Sequence, residues 1–181
     1  MIEMVIESIR VSLINYQRVV ILKEKSADRY LPIWIGPAEA DAIAVELQGV
    51  AVARPLTHDL LRSVIGTLGA NVTSIVVNDL ANDTFYARII MDAQDRHLEV
   101  DSRPSDAIAL AVRVKVPIFV EDAVLDKAGI TLESETGVEG AKKEDETGSL
   151  DEQDLEKLAP FRDFINSLDL EDFDTRKPKG S

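Results

Sequence analysis

The sequence predicts an α+β fold in which helices pack on a mixed β-sheet, and three observations lead to this prediction. Segments typical of strands and helices follow the order β–β–β–α–α–β–β–β–α–β–α, which lacks the strict βα alternation of a doubly wound fold. No glycine-rich phosphate loop is present, so neither a Rossmann nor a P-loop architecture is expected. The length of 181 residues suits one domain with an appendage.

The first 35 residues are typical of a three-stranded meander. Apolar residues alternate with polar ones over residues 5–13, and residues 19–22 form a β-branched apolar run. These patterns predict two strands. After a turn, residues 31–35 predict a third strand, in which Pro32 favours an edge position or a strand start.

Two helices are predicted next. Pro37 suits the first position of a helix, because its missing N–H would find no partner there, and an apolar stripe follows until Gly49. Thr57 is a favourable N-cap for the second helix. That helix presents an apolar stripe of the kind that packs on a core. The stripe consists of Leu61, Val64, Ile65 and Leu68.

The second half of the domain predicts three strands, a helix, a further strand and a short closing helix. The first of these helices follows Arg103-Pro104 and is apolar on every side over residues 107–112, so we expect it to be deeply buried. The strands are predicted over residues 71–78, 84–91, 97–101 and 117–120, and the closing helix over residues 121–127.

The composition shifts sharply after the predicted domain, residues 1–131. Residues 132–149 are polar and acidic, which is typical of a flexible linker. Residues 150–173 carry apolar side chains at helical spacing, and this amphipathic segment is expected to find a partner surface on its own domain or on a neighbouring subunit. The end, residues 174–181, is predicted to be disordered.

The net charge is −13, from 33 acidic and 20 basic residues. Nucleic-acid binding depends largely on neutralising phosphates with basic side chains, so a nucleic-acid site here would need a local arginine cluster or a metal ion. No stretch approaches the roughly 18 apolar residues of a membrane span, and no signal-peptide pattern begins the sequence. We therefore expect a cytoplasmic protein that does not associate with membranes.

Cysteine is absent, and the only histidines are His58 and His97. This composition excludes thiol nucleophiles, disulfides and thiolate metal sites. A bound metal would be held mainly by oxygen, which is typical of Mg²⁺ or Mn²⁺; no organic cofactor is expected. His97 lies in a strand pattern where it is expected to face solvent.

Each of three predicted helix starts has a carboxylate in its first turn: Glu39, Asp59 and Asp106. Arg-Pro pairs precede two of them, with the arginines at positions 54 and 103. One interpretation is structural. Acids at helix N-termini stabilise the free N–H groups and the helix dipole by about 0.3–1 kcal/mol, and the arginines would be their ion-pair partners.

The other interpretation treats these residues as one site for phosphate chemistry. Helix N-termini attract phosphate, arginines hold it bidentately, a histidine can act as general acid or base, and a cation held by carboxylates activates water. The candidate catalytic residues are His58, Asp59, Asp101 and Asp106, of which the three aspartates would hold the metal. The candidate substrate-binding residues are Arg54, Arg103 and Ser105.

Several segments resemble the bifunctional nuclease family. They are YLPIWIG at residues 30–36, RPLTHDL at 54–60 and DSRPSDAIALA at 101–111; residues 161–173 are similar to the C-terminal ending of bacterial members. The resemblance implies an α+β fold, association into dimers or larger oligomers and, from the plant members, cleavage of both DNA and RNA. It carries over no catalytic assignment.

Two functions are therefore predicted as alternatives. The first is metal-assisted hydrolysis of phosphodiester bonds in DNA and RNA. The second is a non-catalytic oligomeric scaffold or regulatory module that binds a protein or a small anion. Arg54, Arg103 and Arg113 converging with His58 on an open groove would favour the nuclease. The same arginines buried in pairs with acids would favour the scaffold.

Overall fold

The computed structural model describes residues 1–11 and 17–131, which belong to one compact unit, Met1–Ser134. They form a mixed eight-stranded sheet with four helices, which confirms the predicted α+β class. None of the helices in these ranges is long and apolar enough to cross a bilayer. The predicted linker, amphipathic segment and C-terminal end, residues 132–149, 150–173 and 174–181, lie outside the described residues.

The elements follow the predicted order, with one short strand added at the end. The strands are β1 (Ile2–Val11), β2 (Arg18–Glu24), β3 (Arg29–Ile35), β4 (Ala70–Ala81), β5 (Thr84–Ala93), β6 (Arg96–Ser102), β7 (Ile118–Val120) and β8 (Ile130–Thr131). The helices are α1 (Pro37–Leu47), α2 (Thr57–Thr67), α3 (Pro104–Val114) and α4 (Asp122–Ala128).

The sheet has the strand order β6-β5-β4-β7-β1-β2-β3-β8. It consists of two antiparallel meanders, β1–β3 and β4–β6, joined by the three-residue strand β7, and β8 pairs with β3 at the edge. Ile118 in β7 pairs with Met4 of β1 on one side and with Ile75 of β4 on the other. The β4–β7 pair is parallel and every other pair is antiparallel. The short strand β7 thus joins the two meanders into one continuous sheet.

The core lies between the sheet and α3. Residues 107–110 of α3 are fully buried, as their apolar run predicts. They share a core with alternate residues of the sheet, among them Ala87 and Ile89 of β5, whereas Tyr86 and Arg88 are exposed. Side chains of β5 thus alternate between the core and solvent, as expected of the strand predicted over residues 84–91. Because α1 and α2 both pack on α3, the buried helix brings three helix starts together.

The start of α2 differs from the prediction. Its N-cap is Leu56, in extended backbone, and Thr57 is the first helical residue. The Leu56 N–H donates to Asp59 Oδ2 at 2.8 Å. A carboxylate inside the first turn therefore reaches back over the helix end, so Thr57 is not needed as a cap.

The predicted apolar stripe of α2 is also exposed rather than buried. Leu68 is 72% exposed, Val64 43% and Leu61 36%, and Leu60 beside them is 59% exposed. His58 is the buried residue of this helix, while Ile65 packs at the edge of the core. The side of α2 that faces the domain is thus largely polar, and its apolar side faces outward.

Candidate functional site

The first turns of α1, α2 and α3 converge, as the site hypothesis requires. Hydrogen bonds join side chains of α1 to α3 and of α2 to α3 across 48 to 64 residues of sequence. We refer to the joined groups as the helix-start cluster. Its members are Glu39, His58, Arg103 and Asp106, which hydrogen bonds link to one another, and Asp59, which is bonded to Arg113 in the last turn of α3.

His58 and Asp106 form the centre of this cluster. His58 Nε2 lies 3.1 Å from Asp106 Oδ1, and the His58 side chain is only 8% exposed. An ionised carboxylate can only accept hydrogen bonds, so Nε2 carries the proton in this pair. Nδ1 is buried and has no hydrogen-bond partner in the described part of the chain. The second ring nitrogen is therefore free for a ligand or for proton transfer.

Arg103 forms the outer edge of the cluster. Its Nε donates to Asp106 Oδ2 at 2.7 Å and its Nη2 donates to Glu39 Oε1 at 2.9 Å. Burial acts to raise the pKa of Asp106, but hydrogen bonds from Arg103 and His58 outweigh it and leave that pKa below its usual value. The Arg103 side chain is 68% exposed, so the guanidinium at the start of α3 is open to an anion.

Arg113 forms the inner edge of the cluster. Its Nε donates to Asp59 Oδ1 at 2.7 Å, and its side chain is 1% exposed. The other oxygen of Asp59 accepts from the Leu56 N–H. The Leu56 hydrogen bond first, and Arg113 second, hold the pKa of Asp59 below its usual value despite partial burial. Both oxygens of this carboxylate therefore have structural partners.

The predicted set of three metal ligands is not assembled. Asp101 is exposed in β6, paired across the ladder with Arg88 of β5. Asp59 and Asp106 are held by different arginines. Within residues 1–11 and 17–131, no group of three or more His, Cys, Asp or Glu residues is placed to hold a metal ion. The described residues thus do not fit the carboxylate site that the sequence predicts.

Two of the predicted substrate-binding residues, Ser105 and Arg54, lie apart from the exposed Arg103. Ser105 is 5% exposed in the first turn of α3, so it faces the interior. Arg54 is exposed in the connection between α1 and α2 and makes no ion pair with another described residue. Its Arg-Pro motif matches that of Arg103, but the partner of Asp59 is the distant Arg113. Of the three candidates, the structure joins only Arg103 to the cluster.

Glu39 and Arg113 are not among the candidate catalytic and substrate-binding residues that the sequence predicts, although Arg113 is one of the arginines whose convergence with His58 would favour the nuclease. Glu39 was indicated only as a helix-start acid. The signal for Arg113 is a lone cation directly after the apolar run of α3, because a buried charge needs partners. The pattern indicates a buried ion pair without identifying Asp59 as the partner.

Comparisons with known proteins agree with the motifs. Residues 20–133 match the family model described as the bifunctional nuclease domain, a range that includes every member of the helix-start cluster. An uncharacterized protein of Mycobacterium tuberculosis is 44% identical over 171 residues, which cover 94% of this chain and 97% of that protein. Bifunctional nuclease 1 of Oryza sativa subsp. indica is 23% identical over 134 residues, 72% of this chain and 40% of its own length. Bifunctional nuclease 1 of Arabidopsis thaliana is 27% identical over 105 residues, 56% of this chain and 32% of its own length.

Proposed function

Because the chain belongs to the bifunctional nuclease domain family, we propose that it hydrolyses phosphodiester bonds of DNA and RNA at the start of α3. The observation that carries the proposal is the His58–Asp106 pair beside the exposed Arg103. The plant relatives that are named bifunctional nucleases support the reaction class. The protein would act in the cytoplasm and would bind nucleic acid as its substrate.

The chemistry assigns a separate role to each of the three groups. A carboxylate that holds an imidazole fixes its orientation and stabilises the protonated ring, which suits general acid–base catalysis. An arginine at a helix N-terminus binds phosphate through charge-assisted hydrogen bonds and the helix dipole. Arg103 would exchange Glu39 or Asp106 for a phosphate oxygen. His58 Nδ1 would accept a proton from the water that attacks phosphorus, and the protonated ring would give a proton to the leaving oxygen as the P–O bond of the phosphodiester breaks.

The burial of His58 sets a condition on this mechanism. Its free Nδ1 has no solvent contact, so α2 must shift before this nitrogen can reach a substrate or a water molecule. Helices with few buried apolar contacts open at low free-energy cost, and α2 buries little apart from His58 itself. We assign no step to a metal ion, because the described carboxylates do not form a metal site.

A nuclease assay of purified protein tests the proposal. The substrates are single- and double-stranded DNA and RNA, each with Mg²⁺, Mn²⁺ or EDTA, so that the predicted metal dependence is measured directly. His58→Asn is expected to lower the rate by about 10²-fold or more. The matched control is His97→Asn, which removes the exposed pair of His97 with Asp92 and should retain activity. Equal rates for the wild type and His58→Asn would overturn the proposal.

A second candidate function, a non-catalytic oligomeric module, is favoured by two observations. The carboxylates of the helix-start cluster are all bonded to Arg103, Arg113 or His58; the structural interpretation expects such partners, with Arg113 in place of Arg54. The outward side of α2 is apolar, which suits a contact with a second copy of the chain. In this case the polar cluster would stabilise the helices, and the assay above would show no activity under any metal condition.

A further inference from the structure

Arg113 is a buried cation that joins three helices through one guanidinium. It donates from Nε to Asp59 of α2, from Nη1 to the Ala109 carbonyl of α3 at 2.7 Å, and from Nη2 to the Ala42 carbonyl of α1 at 3.0 Å. We infer that Arg113 is the positioning residue that holds α2, and with it the His58 imidazole, against Asp106. The catalytic meaning of this inference rests on the proposed function; its structural part does not.

Besides the His58–Asp106 contact, two polar contacts join α2 to α3, and both are made to Arg113. Asp59 binds the guanidinium, and Arg62, one turn later, donates from Nη1 to the Arg113 backbone carbonyl at 3.3 Å. Residues three apart lie on the same face of a helix. The face of α2 that turns toward α3 is thus fastened at two successive turns to a single residue.

Apart from these polar contacts, α2 has few buried side chains that could hold it against α3. Its leucines and Val64 are exposed, and Ile65 packs only at the edge of the core. His58 directly precedes Asp59, so the backbone that carries the imidazole is fixed by the Asp59–Arg113 contact. Without that contact, the His58–Asp106 contact at 3.1 Å and the 3.3 Å bond from Arg62 to the Arg113 backbone carbonyl would be the polar contacts left to position the helix.

A lysine would not perform this role. The three partners of Arg113 lie on three different helices, and the planar guanidinium addresses them with separate nitrogens. A lysine ammonium is a single point on a flexible stem. The arginine is therefore required for its geometry and not only for its charge.

The two histidines allow a direct test by nitrogen-15 NMR of the imidazole rings in the full chain. In the wild type, the His58 Nε2–H is buried and bonded to Asp106, so it should exchange slowly with water, whereas the ring of His97 is 61% exposed and serves as an internal reference. In Arg113→Met, His58 N–H exchange is expected to be about tenfold faster or more, because α2 opens more often. Arg113→Lys should show the same change.

Two further variants keep the inference falsifiable. Asp59→Asn removes the same ion pair from the other side and decides the test if Arg113→Met does not fold. Arg88→Met removes an exposed pair with Glu99 and should leave the His58 signal unchanged. Wild-type His58 exchange in folded Arg113→Met, or in Asp59→Asn, would overturn the inference.

Failure of the inference and failure of the proposed function are distinguishable. The ring N–H measurement needs no enzymatic activity. Faster His58 exchange in a protein that cleaves no nucleic acid would support the positioning role and reject the nuclease. An active nuclease whose His58 exchange is unchanged in the variants would reject the positioning role alone.

Discussion

His58 Nε2 and Asp106 Oδ1 lie 3.1 Å apart and connect the first turn of α2 to the first turn of α3 across 48 residues. This contact links the only buried side chain of α2 within the described residues to the carboxylate that Arg103 also binds. A movement of α2 that breaks this contact would therefore expose the imidazole. It would also remove one of the two side chains that neutralise Asp106 and leave Arg103 as the other. The same contact serves a structural cluster and a candidate acid–base pair.

The pKa shifts predict acid sensitivity of the folded state. The pKa values of Asp59 and Asp106 lie below their ordinary value of 3.8, so the unfolded chain binds protons more readily than the folded chain. Their stabilisation is complete well above pH 3.8 and is lost as the pH falls through the folded pKa values. Urea unfolding should therefore show a falling free energy of unfolding on acidification from about pH 5.

Asparagine variants identify the carboxylates responsible. Asp106→Asn should be less stable at neutral pH and should lose less stability on acidification than the wild type, since it has one fewer shifted carboxyl group. The control is Asp95→Asn in the β5–β6 turn, where asparagine tolerates the left-handed backbone of Asp95 (φ 61°). A wild-type acid slope in Asp106→Asn would contradict the prediction.

The elements could be predicted from local patterns, but the sheet order could not. Alternation identifies β5, and the apolar run identifies α3, because each pattern reports the burial of its own segment. The three residues of β7 pair with β4 and β1 for reasons of long-range packing that no local pattern contains. The two-residue strand β8 is too short to have a periodicity.

The site could be predicted in part, for the same reason. Acids in first helix turns indicate which side chains lie at helix ends, and in the structure Asp106 contacts His58 of α2 while Asp59 contacts Arg113 of α3. Their partners depend on how the helices pack on α3, so the sequence could not choose between Arg54 and Arg113. The apolar stripe of α2 shows that the helix is amphipathic but not which surface its apolar side meets.

Replacement of Arg103 should weaken nucleic-acid binding through the loss of one phosphate contact. In Arg103→Gln, the logarithmic slope of affinity against salt concentration is expected to become shallower by about one. Fluorescence anisotropy with a short single-stranded DNA measures this slope. Arg88→Gln, an exposed arginine on β5, is the control and should bind like the wild type. An unchanged slope in Arg103→Gln would show that the phosphate binds elsewhere.

Loss of the Arg113 guanidinium should strongly destabilise the fold. Arg113→Met removes the cation that pairs with Asp59, which keeps only the Leu56 N–H as a donor, and removing one partner of a buried pair costs about 3–5 kcal/mol. Urea unfolding of Arg113→Met and of the double variant with Asp59→Leu measures the coupling. The double variant is expected to recover part of the loss, because no unpaired carboxylate remains. Additive losses would show that the two side chains are not coupled.

The outward side of α2 should control the oligomeric state. Leu60, Leu61, Val64 and Leu68 form an exposed apolar stripe, and exposed patches of this kind mark association sites. Residues 47–68 carry one acid and two arginines in a chain of net charge −13, so this segment does not share the acidic excess that makes two copies repel each other.

We expect two or more copies of the chain to associate through this stripe, and sedimentation velocity of the full chain measures the outcome. The wild type should sediment as a dimer or larger oligomer, and Leu60→Glu with Leu68→Glu should shift it to the monomer, because charged side chains cannot be buried there without partners. The control is Val100→Glu, at an exposed apolar residue of β6, which should keep the wild-type state. A monomeric wild type, or an oligomer that survives the double substitution, would contradict an interface on α2.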